Sequence, residues 1–261
     1  MRLVGVHADV VVVTSRVWQT SCMAVRDGDE AFVVDSPVYP DELEALPSVL
    51  ERASFGVRGL LVTHADWDHL LGRYAFPAAA LGCAETTAAR LRAEPGTAQR
   101  ELRAFDEGHY VERPGPLSLG STQSLPVPGK CEVGGRELEL YPAGGHTADG
   151  MAVLAPWAGV LACGDYLSPV EIPILSASGS LGGYLATLDL LCELAARVET
   201  VVPGHGSPLS SARALELAAE DEAYLDALGR RGRAAELPPG RRSAEQRGIH
   251  AQNVARLEAA A

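Results

Sequence analysis

The feature of this sequence that most constrains its fold is a cluster of metal-binding side chains directly after an apolar run. Residues 59–62 read Gly-Leu-Leu-Val, and the loop that follows contains His64, Asp66, Asp68 and His69. A short apolar run that ends in a turn is typical of a buried strand leading into a functional loop. Two imidazoles and two carboxylates so close together favour a bound cation, because burying them unpaired is costly. The alternative is a solvated turn in which Asp66 or Asp68 caps a helix.

Three later segments repeat the order of apolar strand, glycine-containing turn and candidate ligand. His146 lies in Gly-Gly-His-Thr, Asp165 follows an apolar stretch that ends at Gly164, and His205 follows Val-Val-Pro-Gly. Glycine permits tight turns and lets a ligand approach the backbone closely. Because four segments share this pattern, the sequence predicts that their side chains meet at one site.

The order of these residues resembles that of the metallo-β-lactamase-fold superfamily, with its H-x-H-x-D-H loop, a later His, an Asp and a final His. The resemblance covers roughly residues 10–210. The matching residues are His64, Asp68, His69, His146, Asp165 and His205. The resemblance implies an α/β protein with an αββα four-layer sandwich, in which two mixed β-sheets are flanked by helices.

The same resemblance implies a site for two divalent metal ions. The first ion would be bound by His64, Asp66 and His146. The second would be bound by Asp68, His69 and His205, with Asp165 as a bridge between the two. The sequence departs from the motif at Asp66, which stands where a second histidine is expected. Zinc is the favoured metal, and the added carboxylate makes iron or manganese the alternatives.

The chemistry implied by such a site is hydrolysis. A divalent ion lowers the pKa of bound water to near neutrality, so a metal-bound hydroxide attacks without a serine or cysteine nucleophile. Asp68 would be the catalytic residue that orients this water and carries a proton to the leaving group. We therefore expect a glyoxalase II-like metallo-hydrolase of a small thioester, ester or lactone. The alternatives are a diiron oxidoreductase of the same fold, a small-molecule phosphodiesterase and a catalytically silent metal-binding protein.

Composition limits the partners of the chain. The net charge of −12 argues against nucleic acid, which needs clustered basic side chains. No apolar run reaches membrane-spanning length and the start lacks a signal peptide, so we expect no membrane partner and a cytoplasmic location. Five cysteines without a C-x-x-C pair indicate free thiols. The expected partner is a small-molecule substrate, and a homo-oligomer is left open.

The chain divides into a predicted catalytic domain, residues 1–229, and a basic helical tail, residues 230–261. The tail contains seven arginines against three glutamates and is interrupted by Pro-Pro-Gly at 238–240. We expect it to pack on the same domain as a solvated helix. Contact with an anionic partner or another subunit is the alternative.

Two segments without ligands are candidates for contact with the substrate. Residues 108–135 are rich in Pro and Gly and predict a pocket wall or lid, and residues 167–183 directly follow Asp165. Trp67 and Tyr184 are predicted to contact the substrate, with packing as the alternative for each.

Four further residues are weaker candidates. Asp35 ends a predicted strand, where it either lies near the site or accepts hydrogen bonds in a turn. Cys163 lies two residues before a ligand, although a small buried thiol is more often part of a core. His109 and Tyr110 are more often surface or core residues than site residues.

The apolar pattern also predicts the main elements. Predicted strands are 10–14 (as the first strand), 22–26, 31–35, 137–141, 151–154 and 159–163. Predicted helices are 41–53, 184–198 and 210–229, and 84–105 is helical apart from Glu94-Pro95-Gly96.

Overall fold

The computed structural model describes residues 1–260; the last residue of the predicted tail, 261, lies outside the described residues. The strands of the first half of the chain are β1 (Arg2–His7), β2 (Val10–Thr14), β3 (Ser21–Asp27), β4 (Glu30–Val34), β5 (Val57–Val62), β6 (Ala80–Ala84) and β7 (Thr122–Leu125). Those of the second half are β8 (Gly129–Val133), β9 (Arg136–Pro142), β10 (Met151–Ala155), β11 (Val160–Ala162), β12 (Thr200–Val202) and β13 (Leu209–Ser210). The helices are α1 (Pro40–Arg52), α2 (Gly72–Ala75), α3 (Glu85–Ala93), α4 (Thr97–His109), α5 (Leu181–Ala195), α6 (Ser211–Arg231) and α7 (Ala244–Ala260).

The strands form two mixed sheets. The first has the order β1-β2-β3-β4-β5-β6-β7 and changes from antiparallel to parallel pairing at β4. The second has the order β13-β12-β11-β10-β9-β8, in which only β11 and β12 pair in parallel. Each parallel pair brings two strand ends to the same edge, and candidate ligands follow those ends.

The two sheets pack face to face through apolar side chains. Val10 and Val12 of the first sheet and Met151 and Val153 of the second belong to this central core. The intervening Val11 and Val13 belong to a second core with α1, α3 and α4, because successive side chains of a strand point to opposite faces. Helices α5, α6 and α7 cover the second sheet. This arrangement is the predicted αββα sandwich of two mixed sheets flanked by helices.

The structure corrects the predicted order of the strands and the bounds of two helices. Val10–Thr14 is the second strand, because β1 precedes it with mostly exposed side chains that produce no apolar pattern. Helix α5 begins at Leu181, since the hydroxyl of Ser180 accepts a hydrogen bond from the backbone N–H of Gly183. Helix α6 continues past the predicted stop to Arg231, and Gly232, with a positive φ of 51°, caps its end.

None of the helices within residues 1–260 combines the length and the apolar character needed to cross a membrane.

Candidate metal centre

The seven predicted ligands converge between the ends of the two sheets. The loop after β5 supplies four of them, and a 3₁₀ turn over Trp67–His69 turns Asp68 and His69 inward. The other three come from the loops after β9, β11 and β12. Their nitrogen and oxygen atoms form three groups, each within 4.8 Å: His64, His69 and Asp165; His64, Asp66 and His146; and Asp68, His69 and His205.

Asp165 lies between two pairs of histidines. The first pair is His64 and His146, the second pair is His69 and His205, and one carboxylate oxygen of Asp165 faces each pair. Its Oδ2 lies 3.6 Å from Nε2 of His64 and 3.4 Å from Nε2 of His146. Its Oδ1 lies 3.1 Å from Nε2 of His69 and 3.3 Å from Nε2 of His205. One carboxylate therefore faces both parts of the centre, as the predicted bridge requires.

Two of the histidines are oriented by backbone carbonyls. Nδ1 of His146 lies 2.9 Å from the carbonyl oxygen of Ile174, and Nδ1 of His205 lies 3.2 Å from that of Trp18. A carbonyl only accepts, so each contact keeps a proton on Nδ1 and makes Nε2 the nitrogen that can bind a metal when it releases its own proton. Histidines that bind metal are characteristically held in this way.

The other two histidines have polar side chains at Nδ1. Nδ1 of His69 lies 3.0 Å from Oδ2 of Asp35, and Nδ1 of His64 lies 3.0 Å from the hydroxyl of Thr63. Asp35 also accepts hydrogen bonds from the N–H and hydroxyl of Thr63. Its backbone has a positive φ of 58°, which is uncommon outside glycine. Asp35 therefore combines both roles considered for it, the strand-end acceptor and a neighbour of the site.

Several polar atoms at the centre are buried without a hydrogen-bond partner. They include Nε2 of His64, Nε2 of His69 and Oδ1 of Asp165. Buried polar atoms are normally satisfied, and leaving them unpaired costs free energy. Imidazole nitrogens and carboxylate oxygens are ordinary ligands of divalent transition metals, so this donor set fits such ions.

The acidic and basic groups stabilise one another's charged forms. Burial opposes ionisation of Asp165, but His205, His69 and His64 outweigh it and hold its pKa well below the usual value. Burial likewise lowers the pKa of His146 and His205, but nearby carboxylates raise these to about 9 and about 10. The carboxylates therefore favour positive charge at the positions of these histidines.

The sequence model of the metallo-beta-lactamase superfamily matches residues 15–205. The chain belongs to this superfamily. A search of curated protein sequences finds no match.

Several solved structures share the fold at low sequence identity. A metallo-beta-lactamase family protein of Thermus thermophilus, TTHA1429, is 21% identical with a TM-score of 0.70, covering 98% of this chain and 94% of that one. A metallo-beta-lactamase from Pontibacter korlensis is 20% identical with a TM-score of 0.60, covering 84% and 98%. The inverting sec-alkylsulfatase Pisa1 of Pseudomonas sp. is 14% identical with a TM-score of 0.69, covering 88% and 42%.

Asp66, where the chain departs from the superfamily motif, has an arginine partner that the sequence analysis missed. Oδ2 of Asp66 lies 3.3 Å from Nε2 of His146, whereas its Oδ1 lies 2.8 Å from the guanidinium of Arg90. Arg90 also donates to the buried Asp149, which in turn accepts a hydrogen bond from the N–H of Ala65. Only one oxygen of Asp66 therefore faces the centre. No local pattern pointed to Arg90, which is one of two arginines on α3.

A cavity of about 350 Å³ opens above the ligands. Its lining residues are Trp18, Asp66, Asp68, His146, Asp165, Glu171, Ile174, Ser176, His205, Glu245, Gly248, Ile249 and Gln252. The segment 167–183 contributes to it as expected, and burial raises the pKa of Glu171 to about 7. The contributions of Trp18 and of helix α7 were not predicted, and only the spacing of polar and small residues along α7 could have suggested a lining face.

The two predicted substrate contacts do not line this cavity. The indole of Trp67 is half-buried and packs against Trp18 and Phe105, with ring centroids 5.7 and 4.8 Å apart. Tyr184 is fully buried, and its hydroxyl donates to the backbone carbonyl of Asp165 at 3.0 Å. Trp67 thus packs against Trp18, which lines the cavity, and Tyr184 holds the loop that contains Asp165.

The remaining candidates lie elsewhere. Segment 108–135 supplies no residue that lines this cavity. Its strands β7 and β8 instead form edge strands of the two sheets. His109 stacks on Phe105, and Tyr110 is 95% exposed. Cys163 is fully buried in the core beneath α5 and α6, and burial raises its pKa.

Proposed function

We propose that this protein is a dinuclear metallo-hydrolase that cleaves a small thioester, ester or lactone. The observation that carries the proposal is the convergence of four histidine Nε2 atoms on the carboxylate of Asp165. Nδ1 is hydrogen-bonded elsewhere in three of these histidines, and in His69 it lies 3.0 Å from the carboxylate of Asp35. Superfamily membership adds that such centres are mostly hydrolytic.

We propose zinc as the metal because the donor set suits it. In the first site, Nε2 of His64 lies 3.6 Å from the nearest oxygens of both Asp66 and Asp165. Nε2 of His146 lies 3.3 and 3.4 Å from the same two carboxylates. Imidazole nitrogens and carboxylate oxygens are both ordinary zinc ligands, so the carboxylate at position 66 is compatible with zinc.

Bound divalent ions would supply a water of near-neutral pKa and would polarise the carbonyl under attack. Asp68 faces both the cavity and the second histidine pair, with its Oδ2 3.6 Å from Nε2 of His69 and of His205. We propose that Asp68 orients the attacking water and carries its proton to the leaving group. The cavity is at the small end of ligand pockets, which suits a compact acyl substrate.

The proposal is tested by metal content and turnover measured on the same preparations. Protein purified without chelator is expected to contain two zinc ions per chain and to hydrolyse a thioester, a lactone or an aryl ester. Asp165→Asn is expected to lose metal and activity together, because it weakens the bridge between both sites. Asp189→Asn, an exposed aspartate on α5, is the matched control and should keep both.

Two results would contradict the proposal. Iron together with oxygen consumption and no hydrolysis would support the diiron oxidoreductase instead. Full metal loading without turnover of any acyl substrate or of bis-nitrophenyl phosphate would support a silent metal-binding protein.

We also propose that residues 230–260 form part of the same domain as residues 1–229. The support is that α7 contributes Val254 to the core beneath the second sheet. The cytoplasmic location, the absence of a nucleic-acid or membrane partner and the oligomeric state stay predictions.

A further inference from the structure

Helix α7 is anchored to the loop that follows Asp165. The side-chain oxygen of Gln246 accepts a hydrogen bond from the N–H of Ile172 at 2.7 Å. Two turns later, the side chain of Asn253 accepts from the N–H of Leu175 at 2.8 Å and donates to the carbonyl of Pro173 at 2.7 Å. Both anchoring side chains are buried. The helix therefore has a fixed rotation relative to the metal centre.

This rotation directs the adjacent face of α7 into the cavity. Glu245, Gly248, Ile249 and Gln252 all line it, and their i, i+3, i+4, i+7 spacing places them on one side of a helix. A Cβ added at Gly248 would meet no other atom within 4 Å, so the helix leaves open space there. The last helix is therefore one wall of the cavity.

Apart from the candidate metal ligands, the charged residues that line the cavity are carboxylic. They are Glu171 and Glu245, since bound divalent ions would offset the charges of Asp66, Asp68 and Asp165. None of its lining residues is a lysine or arginine. Arg90, which contacts Asp66 at the edge of the centre, is already shared between Asp66 and Asp149.

The lining residues should make the binding affinity of a substrate depend on the charge of its acyl group. A carboxylate, sulfate or phosphate on the part of the substrate away from the metals would lose water without gaining a basic partner, which is unfavourable. An apolar acyl group would pack against Trp18, Ile174 and Ile249. An ammonium group would gain a favourable interaction with Glu245 at the rim.

We propose that the enzyme selects substrates whose acyl group is uncharged or cationic, and that Glu245 on α7 is the residue that determines this selectivity. The inference rests on the proposed function of the metal centre. It specifies a class of substrate: compact apolar or amine-bearing acyl thioesters, esters or lactones, as opposed to carboxylate-bearing ones.

The test is equilibrium binding of three matched metal-chelating probes to the zinc-loaded protein, measured by calorimetry. The probes are benzohydroxamate and its para-carboxy and para-aminomethyl derivatives. We expect the carboxy probe to bind about tenfold more weakly than the other two, since its carboxylate would meet Glu171 and Glu245 without a basic partner.

Two pairs of variants locate the effect on α7. Glu245→Lys should improve binding of the carboxy probe about tenfold relative to benzohydroxamate. Glu258→Lys makes the same charge change on an exposed position of the same helix, about 20 Å further along, and should leave the ratio unchanged. Gly248→Leu should weaken all three probes by occupying the cavity, whereas Leu at the exposed Ala251 should not.

Equal binding of the carboxy probe and benzohydroxamate to the wild-type protein would overturn the inference while leaving the metal centre supported. An equal response to Glu245→Lys and Glu258→Lys would overturn the assignment to α7. Failure of every probe to bind would instead contradict the metal centre, and the inference with it.

Discussion

Arg241 and Asp221 form a buried ion pair that joins the C-terminal tail to α6. Their side chains are 2% and 1% exposed, and their closest atoms are 2.5 Å apart. Arg241 also donates to the backbone carbonyls of Ser168 and Glu171, in the loop that borders the cavity. One guanidinium therefore connects the tail, α6 and a wall of the metal centre.

Arg241→Met is expected to destabilise the protein strongly. The substitution leaves the Asp221 carboxylate buried without its countercharge and removes the donor to two carbonyls. Breaking a buried pair from one side costs ~3–5 kcal/mol. For a chain of this size each kcal/mol corresponds to ~2–4 °C, so we expect the melting temperature to fall by ~6–20 °C.

The loss should depend on pH in a defined direction. Burial raises the pKa of Asp221 to about 7, although Arg241 acts in the opposite direction. An unfolded aspartate has a pKa of about 3.9, so between these values the native protein binds a proton that the unfolded chain does not. The contribution of this group to stability therefore falls as pH rises through that window. Without Arg241 the pKa rises further, so the deficit of the variant is larger at about pH 8.5 than at about pH 6.

The assay is urea denaturation followed by circular dichroism at both pH values. Arg241→Met/Asp221→Asn should recover much of the loss, because it removes the uncompensated charge. Arg242→Met, at the neighbouring exposed arginine, is the matched control. A deficit below about 1 kcal/mol, or one equal at both pH values, would refute the reasoning.

Four further predictions concern the metal centre. Arg90→Met should weaken metal binding about tenfold or more in chelator competition, because Asp66 loses the partner that orients it. Asp66→His should increase the preference for zinc over manganese and iron, measured as metal content after growth with all three. Chelation should lower the melting temperature, and zinc at a hundredfold excess over Kd should restore about 2.7 kcal/mol to the free energy of unfolding. Tyr184→Phe should cost about 1 kcal/mol of stability with metal content and KM unchanged, since the hydroxyl bonds the Asp165 backbone outside the cavity.

Part of the strands and the candidate ligands were predictable because their signals are local. Three of the four ligand loops directly follow a run of apolar residues, and the loop of His146 follows the alternating strand β9. The alternation of Val10 to Val13 between two cores follows from the period of a strand. The first strand escaped prediction for the same reason, because its side chains are mostly exposed and leave no apolar pattern.

The sequence by itself determined the fold family and which side chains are available as ligands, since both depend on residue type and short-range order. The tertiary structure decided what surrounds them. Arg90 is 59 positions from Asp149, and Gln246 is 74 positions from Ile172, so no local pattern relates them. The charge partner of Asp66 and the wall formed by α7 arise only when the packing of two sheets and their outer helices brings these distant segments together.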